Sequence, residues 1–234
     1  MLYLSVSAVK DYLACPKIYW YRVHKKEAFI SDEFIFRGNV IHKVIETCDN
    51  EDDAILSLNN MYRNSYSYTT DLKLKNELEA IKMVHNYYTL IEPYLGKRYP
   101  NVIEKQFKIP WSNNVYLVGK IDRFDLNTNK IYDWKTSMQP PDAYELQDMQ
   151  FYVYTWAYEV LYRVKPTVYY GHLNSGTLFP IDIHDDMWYN IKRLIDELVI
   201  KLTDEKSFYP RLFGYKCKRC FYKGACLSDY ELGN

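Results

Sequence analysis

The chain has 234 residues, 48% of them apolar, with 30 Lys and Arg balanced by 30 Asp and Glu. That length makes one domain, or one domain with a small appendage, and buries a core without staples. The neutral balance excludes a global electrostatic pull on nucleic acid, and no apolar run approaches the ~20 residues that a bilayer-spanning helix needs.

The first seven residues carry no basic cluster or long apolar stretch, so no secretory signal is expected. A reducing, cytosolic setting follows as the expectation, and there cysteine clusters bind metal more often than they form disulfides. Charge is spread unevenly. Residues 17–26 and 206–223 are basic and free of acids, while acids gather at Glu46, Asp49, Glu51, Asp52 and Asp53. Tyrosine is used 25 times, which supplies core residues and stacking faces alike.

In chain order, Ser7 is expected to cap a helix over 7–14, which ends at Cys15-Pro16 because the residue before proline avoids helical backbone. Further helices are expected over 17–23, 38–46, with His42 beside its apolar stripe, and 53–64. Residues 65–70 read as a polar loop and 74–94 as a long amphipathic helix. The period then changes to two. Strands are expected over 102–109, 115–124 and 130–135, with a turn at 126–130. A helix over 144–162 follows, then strands over 168–173 and 178–183 joined at Asn174-Ser175-Gly176. Asp185 or Asp186 caps a last helix to about 202, and the tail from Ser207 reads as irregular. This order predicts an α/β or α+β fold: a central mixed sheet flanked by helices.

The second and third strands carry Asp122 and Asp133-Trp134-Lys135. If Thr128-Asn129 forms a two-residue loop, Asn127 pairs with Lys130 and Asp122 falls opposite Lys135, with Asp133 one diagonal away on the same face. Val118, Ile121, Ile131 and Trp134 make the strands buried, and buried acids need a partner or a metal. Two close carboxylates offer the hard oxygen donors that Mg²⁺ or Mn²⁺ prefers. Such a metal polarises a phosphate and acidifies bound water, and Lys135 could place the water or meet the developing charge. His42 could add a ligand. Glu104 opens the first strand of the sheet and could join the metal shell. Gln150 and Tyr154 stand four apart on one helix face.

Taken in order, His42, Glu104, Gly119-Lys120-Ile121-Asp122, Asp133-Trp134-Lys135 and Gln150…Tyr154 resemble the PD-(D/E)xK nuclease superfamily, most closely its RecB-like exonuclease branch. The resemblance implies a restriction-endonuclease-like core. It implies that His42, Asp122, Asp133 and the Trp134 carbonyl bind the metal and that Lys135 is the catalytic lysine. Gln150 and Tyr154 match a motif that contacts DNA or supports the site.

Cys217-x2-Cys220-x5-Cys226 is a compact chelate, and Cys15 is the natural fourth ligand, with Cys48 a small core residue. Spacing leaves zinc and iron–sulfur both open. The pattern of one distant N-terminal cysteine and this C-terminal trio resembles the iron–sulfur exonucleases, among them the nuclease subunits of AddAB-type repair enzymes and the small RecB-like exonucleases associated with CRISPR loci. The resemblance implies a [4Fe–4S] cluster that clasps the two ends. The tail aromatics Phe208, Tyr209, Phe213, Tyr215, Phe221 and Tyr222 could guide a single strand or cover the cluster.

The expectation is therefore one nuclease domain over 1–234, with 1–30 and 205–234 as a cluster-binding cap and 37–204 as the catalytic core. Its activity would be metal-dependent exonuclease digestion of DNA, preferably at single-stranded ends, in repair, recombination or processing. A protein partner in such a complex is possible, and no membrane is involved. The alternatives are a module that holds DNA ends or a partner with little turnover, and a zinc-stabilised structural protein.

Overall fold

The computed structural model describes residues 1–25, 33–65, 70–95, 102–204, 208–211, 217–218 and 220–231, the side chains of 24, 70–72, 102–105 and 230–231 excepted. The chain divides into two compact units. One comprises Met1–Ile30, Lys108–Gly119 and His184–Asn234; the other comprises Ser31–Phe107 and Lys120–Ile183. Among the described residues no helix is long and apolar enough to cross a membrane.

The first unit begins with a strand the sequence reading missed, β1 (Leu2–Ser5), paired in parallel with Val115–Val118 of β3 (Val115–Asp125). Four residues are too few for a period to show. Helix α1 (Val6–Ala14) follows, and its cap is Ser5 rather than Ser7: the Ser5 hydroxyl accepts from the Ala8 N–H at 3.1 Å. Cys15 closes α1 in extended backbone, as Pro16 demands, and opens α2 (Pro16–Trp20). A π-helical turn, Tyr21–Lys25, comes next. Strand β2 (Val102–Ser112) pairs with β3 across a turn at Asn113-Asn114, where Asn114 adopts φ 59°. Helix α7 (Asp185–Asp204) buries Ile191, Ile195 and Leu198 and holds Trp111 Nε1 on Asp196 Oδ1 at 2.7 Å. The tail is not wholly irregular. It contains α8 (Lys223–Glu231), which Gly224 hid from a propensity reading.

The second unit carries the mixed sheet and the helical layers. β3 runs antiparallel to β4 (Lys130–Lys135), β4 parallel to β5 (Thr167–His172), and β5 antiparallel to β6 (Thr177–Ile181). Helices α3 (Glu33–Thr47), α4 (Glu51–Arg63) and α5 (Thr70–Asn86) share one apolar cluster with Tyr132, Trp134 and Leu173. Asn50 caps α4, accepting from the Asp53 N–H at 2.9 Å. The long helix expected to run to 94 instead ends at Asn86. It widens into a π-helical turn, Tyr87–Ile91, so that Tyr87, Tyr88 and Ile91 are all buried, and a 3₁₀ turn at Glu92–Tyr94 follows. Helix α6 (Met149–Tyr162) starts five residues later than expected, because Asp148 caps it and a 3₁₀ turn occupies Glu145–Gln147. Its rings pack on the sheet: Phe151 on Tyr170, Tyr158 on Phe124. The loop expected at 65–70 lies largely outside the described residues. Gly176 turns β5 into β6 at φ +66°, a backbone region that favours glycine.

Candidate active site

The β3–β4 hairpin sets the site, and its register differs from the expectation. Asp125 pairs with Lys130, Phe124 with Ile131 and Arg123 with Tyr132. Continued, this pairing brings Asp122 opposite Asp133, not Lys135. The cause is the Asp125 side chain. One carboxylate oxygen accepts from the Asn127 N–H (2.8 Å) and the Thr128 N–H (3.4 Å), and the other from the Thr128 hydroxyl (2.7 Å). This Asx turn makes the loop four residues long, with Asn129 at φ 52°.

Burial opposes ionisation of Asp125, but the Thr128 hydroxyl and the two N–H donors outweigh it and hold the carboxyl below its usual range. A lowered carboxylate stabilises the fold above its unfolded pKa, and that stabilisation is lost as pH falls through the folded value. Asp125→Ala is therefore expected to destabilise by about 1–3 kcal/mol at pH 7. The melting-temperature gap to wild type should narrow as the pH is lowered below about 4; a gap that stays constant in that titration refutes this account of the turn.

Beyond Tyr132 the strands part. The Trp134 N–H, which a continuing ladder would spend on β3 backbone, donates to Asp122 Oδ2 at 2.8 Å. N–H and C=O of one extended residue leave a strand on the same side, so the Trp134 carbonyl faces the same edge as Asp122. Asp122 Oδ1 lies 3.3 Å from His42 Nδ1, and His42 stands on α3 beside the buried stripe of Val40, Ile41, Val44 and Ile45.

Asp133 is 2% exposed. Its Oδ1 accepts from Gln150 Nε2 at 2.9 Å, and its Oδ2 lies 2.5 Å from Lys135 Nζ. Lys135 Nζ also donates to Gln150 Oε1 at 3.2 Å. One amide thus grips both the acid and the lysine. Gln150 is itself fixed twice: Asp148 accepts from its backbone N–H, and its Nε2 reaches the Tyr154 hydroxyl at 2.8 Å. That hydroxyl donates to the Lys120 carbonyl at 2.7 Å.

These contacts push the two acids apart. Burial alone would raise Asp122, yet His42 and the Trp134 N–H hold it below the usual range. Asp133 goes up, raised by burial and by Asp122 against the pull of Lys135. Burial alone would lower His42 and Lys135, and the carboxylate beside each outweighs it and pushes both up. Burial, then Asp133 and Asp122, raise Tyr154. Opposed shifts on adjacent acids in one cluster are typical of catalytic sites.

The profile of the PD-(D/E)XK nuclease superfamily matches residues 3–227. The chain belongs to that superfamily. A crystal structure described as a "Putative exonuclease" from Eubacterium rectale aligns with a TM-score of 0.67 over 93% of this chain and 88% of that one, at 14% sequence identity. At that identity the likeness speaks for the fold. No curated protein matches the sequence.

PD-(D/E)XK nucleases act on nucleic acid and typically use a divalent metal. In this member no group of three or more His, Cys, Asp and Glu among the described residues already closes on a metal ion. The donors nonetheless fit a hard cation in kind. Asp122 and Asp133 stand side by side as two largely buried carboxylates, and the Lys135 ammonium meets Asp133 Oδ2. Of the residues expected at the site, His42, Asp122, Asp133, Lys135, Gln150 and Tyr154 come together; the side chain of Glu104 lies outside those described.

Cys15, Cys217, Cys220 and Cys226 all belong to the first unit. The Arg211 N–H donates to Cys15 Sγ at 3.3 Å, and the Cys217 thiol donates to the Arg211 carbonyl at 3.2 Å, so one backbone unit gathers two thiols. Burial raises Cys220 and Cys226, and the neighbouring thiols raise both further. The two chain ends meet here: Tyr222 stacks on Tyr21 with centroids 5.0 Å apart, and Asp229 accepts from the Tyr21 hydroxyl at 2.6 Å. Among the tail aromatics Phe208 packs on Tyr12 and Tyr19, while Tyr209 and Phe221 are exposed; Phe213 and Tyr215 lie outside the described residues.

The sequence reading missed Arg37, Glu79, Ser137 and His172. Arg37 is 2% exposed and forms an ion pair with Glu79 of α5, while His172 is 1% exposed and bonds the Ser137 carbonyl. A lone arginine on an otherwise apolar helix stripe was the one available signal.

Proposed function

We propose that this nuclease is a Mg²⁺- or Mn²⁺-dependent DNA exonuclease acting on single-stranded ends. The observation that carries the reading is the Asp122–Asp133–Lys135 cluster with His42 on one side and Gln150 on the other. His42, Asp122, Asp133 and the Trp134 carbonyl would hold the ion, which, when bound, polarises the scissile phosphate and acidifies a water. Lys135 is already charged and directed by Gln150, so it can orient that water and meet charge that builds on the phosphate. Tyr154 and Asp148 keep Gln150 from turning, which maintains the lysine in place through the reaction.

In the same reading Cys15, Cys217, Cys220 and Cys226 hold a [4Fe–4S] cluster that staples the chain ends, with zinc as the lesser alternative. The proximity of the thiols around Arg211 and the Tyr21–Tyr222 contact support a structural clasp. Anaerobic purification should give a brown protein with iron and acid-labile sulfide; a colourless protein with one zinc per chain would replace the cluster with zinc. End-labelled linear single strands should be digested from the end with Mn²⁺, while circular single strands survive. Cutting of circles at a comparable rate would make the enzyme an endonuclease.

A further inference from the structure

The chain leaves β4 immediately after Lys135, and it leaves along an unusually well-held path. Four consecutive carbonyls each have their own donor. Lys135 O accepts from the Leu173 N–H at 3.0 Å, and Thr136 O from Arg37 Nη2 at 3.3 Å. Ser137 O accepts from His172 Nε2 at 2.9 Å, and Met138 O from Asn174 Nδ2 at 2.8 Å. Two of these donors are buried groups that the hydrolytic cluster does not use. A carbonyl can only accept, so the His172 Nε2 carries the proton, and in the neutral ring Nδ1 accepts from the Ser175 hydroxyl 2.8 Å away. Arg37 is anchored by Glu79 and can therefore aim its second arm at Thr136. The next residue, Gly38, lets α3 approach: a Cβ there would stand 3.3 Å from Thr136 Oγ1.

Burying an arginine and a histidine to hold loop carbonyls is expensive unless the path of that loop matters. Lys135 is the last residue of β4, where a strand is free to fray, and its ammonium must stay on Asp133 and Gln150. We propose that Arg37 and His172 are positioning residues, which fix the exit of β4 and through it the place of the Lys135 ammonium. The inference rests on the reading that Lys135 takes part in hydrolysis. Arg37 reaches Glu79 and Thr136 with separate arms of a planar fork, which a lysine cannot do. The amide introduced by His172→Gln would retain an N–H donor near the Nε2 position; His172→Leu would leave none.

The test is single-turnover cleavage of an end-labelled single-stranded oligonucleotide with Mn²⁺, beside its binding in Ca²⁺ and thermal melting of each variant. His172→Leu and Arg37→Lys should each slow cleavage at least about 10-fold with oligonucleotide Kd unchanged. His172→Gln should recover most of that loss. If His172→Leu does not fold, Arg37→Lys and His172→Gln carry the test. Wild-type rates in folded His172→Leu or Arg37→Lys overturn the proposal, as does a His172→Gln variant no faster than His172→Leu. Lys135→Ala in the same assay separates the two claims: its full activity removes the underlying reading, whereas its loss beside unaffected Arg37 and His172 variants removes this inference alone.

Discussion

Asp133→Asn lowers the rate of phosphodiester cleavage by about 100-fold or more while leaving the metal-free protein at least as stable as wild type. The first half follows from what Asp133 touches. It contacts both Lys135 and Gln150, and it stands across the hairpin from Asp122. Asparagine retains the shape but offers a neutral oxygen, a poor donor for a hard divalent cation. The second half follows from burial. The carboxylate is 2% exposed and faces a second acid, and burial and Asp122 together raise it against the pull of Lys135. Such a group is held for function at the expense of stability. Parallel cleavage assays and melting curves in EDTA check both halves; an active Asn variant, or one that melts well below wild type, contradicts them.

The second large effect is structural. Gly171→Ala is expected to destabilise by about 1–3 kcal/mol, the usual range for overpacking a filled core. A Cβ at Gly171 would lie 2.3 Å from Trp134 Cε3 and 2.5 Å from Cζ3. The indole cannot retreat. It is 2% exposed, stacked on Tyr132 at 5.7 Å and edge-on to Tyr87 at 5.4 Å. For a chain of this size that destabilisation lowers the melting temperature by roughly 2–4 °C per kcal/mol. Because Trp134 separates Asp133 from Lys135, cleavage should fall as well. A variant that melts with wild type would mean that the ring has room the packing does not show.

How much of this was legible in the sequence depended on whether the signal was local. β4 could be read to the residue, because its short run of Ile131, Tyr132 and Trp134 lies between a turn and a loop. The pairing of Asp122 was misread because it depends on one side chain: Asp125 folds the loop into an Asx turn, and a two-residue change in loop length slides every pair. Gln150 and Tyr154 stood out at helical spacing, but nothing in that spacing said that one amide would bridge an acid and a lysine from a strand seventeen and fifteen residues earlier. Arg37 and His172 were missed for a deeper reason. The loop carbonyls they hold lie 99 and 35 residues away, and a carbonyl has no residue type to recognise.

The most direct test of the account is digestion of an end-labelled single strand with Mn²⁺ by wild type and by Asp122→Ala. Asp122 takes the Trp134 N–H and faces His42, so its removal takes away one of the two carboxylates proposed to hold the metal. The account predicts that wild type releases labelled product, stops on chelation and resumes when Mn²⁺ is restored, and that Asp122→Ala releases none. Digestion by Asp122→Ala at the wild-type rate, or wild-type digestion that continues in EDTA, would place the chemistry elsewhere in the molecule.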